Sequence, residues 1–106
     1  MAALMVIGPD DGGEAGWVEA RSVAEIERLV RAGHTVVVTP GELAGAQDGR
    51  SPDDEEAAEL AAASVCAWLG ARVFRTSRPG QVRLAVEMTE SLAGRRPPAL
   101  ARRGLA

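Results

Sequence analysis

The chain of 106 residues contains no lysine and no tyrosine, and it has a single cysteine and a single histidine. Without lysine there is no Schiff-base chemistry and no lysine grip on a phosphate, since all 12 basic residues are arginines. A lone Cys66 excludes an intramolecular disulfide, and with only His34 to join it no Cys/His zinc centre is expected within one chain. Cys66 lies in an alanine-rich stretch and reads as packing rather than as a nucleophile. His34, between a helix end and a strand, reads as a capping or solvent-facing residue. Aromatic side chains are confined to Trp17, Trp68 and Phe74. Long apolar runs are missing as well: Ala2 to Ile7 lacks a basic flank and is read as a strand, not a signal or membrane segment, so a cytoplasmic location is expected.

What is present is the composition of an ordinary globular domain, 46% hydrophobic and 25% charged. The length allows one core but not a complete enzyme barrel of about 250 residues. Charge is unevenly spread: residues 1–59 hold 13 acids and 4 arginines, whereas residues 60–106 hold 2 acids and 8 arginines, within a net charge of −3. None of the three aromatics lies in the arginine-rich tail, so base stacking finds no platform there. The asymmetry is therefore read as support for acidic-to-basic contacts within the fold or between subunits, not for nucleic-acid binding.

Three strand-then-helix units are expected. The first strand is "ALMVIG", Ala3 to Gly8, followed by the acidic loop "PDDGGEAG". That loop is glycine-rich, but Asp10, Asp11 and Glu14 would repel a phosphate, so it reads as a solvated turn. In "SVAEIERLVRAG", Ser22 and Glu25 have capping-box spacing, Val23, Ile26, Leu29 and Val30 share a face, and Gly33 is the stop. "HTVVVTP" is the second strand, ended by Pro40, and "GELAGAQDGRS" a loop with a short helical turn. The second long helix opens with Ser51 as N-cap, Pro52, and the acids Asp53 to Glu56, which suit a helix start better than a divalent-ion site. It runs to Leu69, stops at Gly70, and is expected to bury Ala57, Leu60, Ala61, Ser64, Val65 and Trp68. "ARVFRT" is the third strand, and the last helix carries Leu84, Met88 and Leu92 with Val82, Ala85 and Val86, ending at Gly94. Residues 95–106, rich in Arg and Pro, read as a flexible tail beyond a domain of residues 1–94. The alternation predicts an α/β fold with a parallel sheet, and "VVV" and "ALMVI", apolar on both faces, predict that oligomerisation completes its cover.

The segment "AAASVCAWLGARVFRTSRPGQVRLAVEM" resembles the end of dihydropteroate synthase, a pterin-binding TIM barrel, whose last strand reads like "GARxxRVHDV" before a helix with "A(L/V)xM". Upstream, "VIGPDDGGEAG" is similar to the family's "DPGxGFGK" loop, and "AGHTVVVTPGELAG" to "GxPVLVGxSRKxFxG". The resemblance implies three βα units like the last three, strands 6 to 8, of such a barrel, with residues 1–94 a truncated, degenerate relative.

The departures bear on chemistry. Gly8 stands where the family has its pterin-binding Asp, and Pro40, Gly41 and Glu42 replace its "SRK". Arg75 matches the Arg of "RVHDV", yet Ser77 and Arg78 replace the His and Asp. Displacing pyrophosphate from a pterin needs cations for the leaving anion and a carboxylate for the ring, and only Arg75 is left for either task. The resemblance thus implies a pseudoenzyme with no cofactor, no catalytic residue and no metal site. It would act by association, as a homo-oligomer or with a full-length synthase-like protein, because the family builds its dimer from its last helices. The alternative is a phosphate or pterin site at Arg75, Thr76 and Ser77, at a strand end before a helix start. Against that site, Arg75 could pair with an acid such as Glu42 or Asp48. Residual pterin-dependent transferase activity is the remaining reading.

Overall fold

The computed structural model describes residues 3–45 and 49–95. Its elements in chain order are β1 Met5–Ile7, β2 Trp17–Glu19, α1 Val23–Arg31, β3 Thr35–Val38, α2 Pro40–Ala44, α3 Pro52–Leu69, β4 Val73–Arg75 and α4 Pro79–Leu92. The expected tail falls outside the described residues from 96 onward, and Asp48 does so too.

Local chemistry accounts for the helix ends. At α1 the Ser22 hydroxyl accepts the Glu25 N–H at 3.1 Å, and the Glu25 carboxylate in turn accepts the Arg21 N–H at 2.7 Å. This is the reciprocal pattern of a capping box, moved one residue outward. At α3, Ser51 accepts the Asp54 N–H at 3.1 Å, and Pro52 occupies the first turn. Gly70 ends α3 in the left-handed conformation, φ 110°, and a Cβ there would lie 2.8 Å from Val30 Cγ1. It is thus both a helix stop and the point where α3 meets α1.

The sheet has four parallel strands in the order β1-β4-β3-β2. An α/β architecture with a parallel sheet is as expected. One feature is added: β2 is a strand in the stretch between the expected loop and helix, to which the sequence reading gives no element, while the short helical turn expected near Pro40 is present as α2. In chain order the expected three strands would lie side by side, but β4 stands between β1 and β3. From β2 through β3 to β4 each crossover carries a helix over one face, and a right-handed return from β1 to the far edge has to cross the other face.

Both faces are accordingly covered, unequally. On the helix side Val36, Val38 and Phe74 pack against Ile26 of α1, Ala63, Cys66 and Ala67 of α3, and Val82 and Val86 of α4. On the other side Ile7, Val37 and Val73 form a small second cluster under Trp17. The loop after β1 is held there by the Arg75 Nε–H, which donates to the Asp11 carbonyl at 3.0 Å. No helix of the described residues is long and apolar enough to cross a membrane.

The helices do not all bury the expected stripes. In α3 the inward residues are Glu59, Ala63, Cys66 and Ala67, and in α4 they are Val82, Val86, Thr89 and Glu90. Val65, Trp68, Leu84, Met88 and Leu92 are 50%, 57%, 62%, 58% and 80% exposed. Of the expected core face of α3, Ala57, Ala61, Val65 and Trp68 are exposed, while Leu60 packs half-buried against the core and Ser64 is half-buried. In α4 only Val82 and Val86 of the expected set are fully buried, with Ala85 half-buried. The sheet contacts one side of each helix, and charged residues occupy part of that side because arginines wait there to pair with them.

Candidate functional site

The carboxyl ends of β3 and β4 open into a cavity of about 360 Å³, lined among others by Thr39, Glu59, Arg75, Thr76, Ser77 and Arg78. This is the position where parallel α/β sheets take ligands. The structure brings all three expected site residues, Arg75, Thr76 and Ser77, to this cavity.

Their side chains are differently committed. Arg75 Nη1–H donates to a Glu19 carboxylate oxygen in a short contact and to Thr39 Oγ1 at 3.1 Å, while its Nε–H holds Asp11. The Arg75 hydrogen bond holds the Glu19 carboxyl below its usual range, against the opposing effect of burial, with the charges of Arg75 and Arg21 adding to the lowering. Thr76 Oγ1–H donates to Glu59 Oε2 at 2.6 Å and accepts the Arg78 N–H at 2.9 Å. Arg78 Nη1–H donates to Glu59 Oε1 at 2.7 Å, and the guanidinium lies 3.7 Å from Glu56. These contacts raise the Arg78 pKa further, the hydrogen bond to Glu59 being the chief cause. Ser77 is exposed at the rim.

The site is thus two ion pairs beside the end of β4, Arg75 with Glu19 of β2 and Arg78 at the start of α4 with Glu59 of α3. An incoming anion would have to compete with carboxylates already in place. Arg75 does pair with an acid, but the partner is Glu19 of β2, not Glu42. Sequence reasoning missed both carboxylates. Glu19 lies in the stretch between the expected loop and helix, to which no element is assigned. Glu59 had a usable signal, since it stands four and seven residues before the small buried Ala63 and Cys66. Burial pushes the Cys66 thiol up to about 11, so it is no nucleophile at neutral pH. Among the described residues no group of three or more His, Cys, Asp or Glu side chains is placed to hold a metal ion.

The second candidate is the outer face of α3 and α4. Both helices follow parallel strands, so they run the same way. Arg95 ties their ends together, with Nη2–H donating to the Ala67 carbonyl at 2.7 Å and to Glu90 at 2.6 Å. Five large apolar side chains thus share one surface, and Ala57 and Ala61 continue it as small exposed residues. The Arg83–Glu87 pair, at 4.0 Å, borders it on α4.

Comparison of the chain with protein-family models, with curated proteins and with solved structures gave no match. The functional reading therefore rests on these two surfaces and on the residues that carry the resemblance.

Proposed function

We propose that the chain is a non-catalytic, dihydropteroate synthase-like protein that acts by protein–protein association through the outer face of α3 and α4. The observation that carries this reading is the alignment of Val65, Trp68, Leu84, Met88 and Leu92, each at least half exposed, on one side of two adjacent helices. Scattered exposed apolar residues are ordinary, whereas a contiguous set on a small domain marks an interaction surface. The resemblance supports the same face, because these are the last helices, from which that family builds its dimer.

The order of the units supports the resemblance only for its last two: β3 and β4 are neighbours with their helices on one face, as consecutive barrel units would be, whereas β1, which carries the likeness to the strand before them, pairs with β4 and not with β3. The alternative, an anion or pterin ligand at Arg75, is favoured by the cavity at the strand ends but opposed by the two ion pairs that fill its cationic groups. A pterin transferase is opposed further by Gly8, Ser77 and Arg78, which stand where the resembling enzymes have Asp, His and Asp.

Light scattering on the full chain, alone and mixed with a full-length dihydropteroate synthase-like protein of the same host, tests the reading. The wild type is expected to associate in at least one arm, and the Leu84→Glu/Met88→Glu double variant in neither. A wild type that stays monomeric in both arms, or a variant that associates as well as the wild type, overturns it. Calorimetry with pyrophosphate and with a pterin pyrophosphate is expected to give no heat at millimolar ligand; binding there would instead favour the ligand reading.

A further inference from the structure

An aspartate followed by glycine is prone to cyclise, because its carboxyl lies within reach of a peptide nitrogen that no neighbouring side chain shields. Of the five aspartates, Asp11 and Asp48 precede glycine, and Asp11 is the one of these two within the described residues. Residues 8–16 are exposed throughout, and this loop passes from one edge of the sheet to the other over the face that carries no helix. Its conformation suits the reaction. Asp11 Oδ1 accepts the Gly13 N–H at 2.8 Å, a turn that swings the carboxyl forward along the chain over the Gly12 peptide. No acceptor among the described residues holds the Gly12 N–H. At the other end of the same peptide bond, the Asp11 carbonyl accepts the Arg75 Nε–H at 3.0 Å. When the Gly12 nitrogen loses its proton, resonance spreads the negative charge onto that oxygen, where the guanidinium already stands.

We propose that Asp11 converts to isoaspartate through Gly12, and that Arg75 directs the conversion and holds its product. The Gly12 nitrogen forms a bond to Asp11 Cγ and the carboxyl Cγ–O bond breaks. The hydroxyl leaves with the nitrogen's proton as water, giving a cyclic imide. Water then adds back. Addition at Cγ restores aspartate, whereas addition at the former main-chain carbonyl carbon breaks its bond to the Gly12 nitrogen, returns a proton to that nitrogen and routes the chain through the side chain. The water lost is the water regained, so mass is unchanged and no oxidant or other reactant takes part. Arg75 bears on the second step in two ways. Its Nε–H lies on the main-chain carbonyl oxygen and polarises that carbon, not Cγ, toward water. The carboxylate released by this route is the same carbonyl with a second oxygen, so a hydrogen bond to a neutral acceptor becomes a charge-assisted one. Glu19 and Thr39 occupy Nη1, which leaves Nε for residue 11. The anion that reaches the strand-end arginine is then the chain's own, made in place, and the loop over Ile7, Val37 and Val73 gains a backbone carbon.

Ageing of the full chain at neutral pH, followed by peptide mapping, tests this. Trypsin cuts after arginine and there is no lysine, so Asp11 falls in the peptide of residues 1–21 and Asp48 in that of residues 32–50. Isoaspartate at residue 11 gives a form of the first peptide with the same mass and a shifted elution, which an aspartate-specific protease no longer cuts before residue 11. This form is expected to accumulate in the wild type and to be lost in Gly12→Ala, a change the fold accepts because a Cβ there meets nothing within 4 Å and the backbone is not left-handed. A synthetic peptide of residues 1–21 gives the share of isoaspartate formed without Arg75 and depends on no fold. The folded chain is expected to exceed that share, and Arg75→Gln to fall back to it. A wild type with no isoaspartate at residue 11, or with isoaspartate in the 32–50 peptide alone, overturns the proposal. Equal shares in the folded chain and the free peptide overturn the part given to Arg75.

Discussion

The inner and outer sides of the same two helices are inverted relative to a simple amphipathic pair. Toward the sheet α3 and α4 present Glu59 and Glu90, both nearly buried, while toward solvent they present Trp68, Leu84, Met88 and Leu92. The inner acids are tolerated because each meets arginine. Glu90 takes two hydrogen bonds from Arg72, at 3.0 and 2.6 Å, and is joined by Arg95. Glu59 takes Arg78 and Thr76. No such compensation covers the outer apolar residues. Buried charge here is a matter of stability, and exposed apolar surface a matter of association.

That division can be broken from the inside first. Glu90→Ala removes the carboxylate that faces the buried Arg72 guanidinium and is expected to cost about 3–5 kcal/mol in urea denaturation. The same cluster gives a pH signature. Burial pushes the Glu90 carboxyl up, but the hydrogen bonds from Arg95 and Arg72, with their charges, outweigh it and hold it at about 2, below the ordinary 4.5. The folded state therefore keeps Glu90 ionised where the unfolded chain has begun to take up a proton. Its stabilisation is complete above about pH 4.5 and is lost as the pH falls toward 2, so wild-type stability should fall across that window more steeply than that of Glu90→Gln.

Glu59→Gln should have the next largest effect, about 1–3 kcal/mol, because the Arg78 guanidinium and Thr76 hydroxyl lose a charged acceptor. Should Glu59→Gln prove neutral, the second cluster would be peripheral and the strand-end cavity more open to a ligand than its contacts indicate. The smallest effect on stability is expected outside: Leu84→Glu and Met88→Glu should shift the unfolding free energy of the isolated protomer by no more than about 0.5 kcal/mol. A loss of several kcal/mol in that dilute measurement would mean that these side chains belong to the core, and the contrast between the two sides would collapse.

The legible parts of the fold are those set by local chemistry. Ser22 with Glu25, Ser51 with Pro52, and Gly70 announce helix ends because capping and left-handed turns act within a few residues. β2 was not legible: "WVE" is short and follows a glycine-rich loop, and only its pairing with Thr35–Val37 makes it a strand. The facing of α3 was not legible either. In an alanine-rich helix the apolar periodicity admits more than one stripe, and the true one contains a glutamate whose arginine comes 19 residues later. The strand-end position of Arg75, Thr76 and Ser77 could be read from the alternation of elements. That an acid engages Arg75 could be read as well; that the acid is Glu19 could not, because it reaches across the sheet from the far edge strand.

Trp17 and Trp68 have one more consequence. They are the chain's two tryptophans, and there is no tyrosine to add to their signal. One packs against the sheet face away from the helices, and the other stands 57% exposed on the α3–α4 surface. Ultraviolet emission from this protein is thus the sum of two reporters on opposite sides of the molecule, and a Trp17→Phe variant would leave a native probe that shifts to the blue only when the outer face becomes dry.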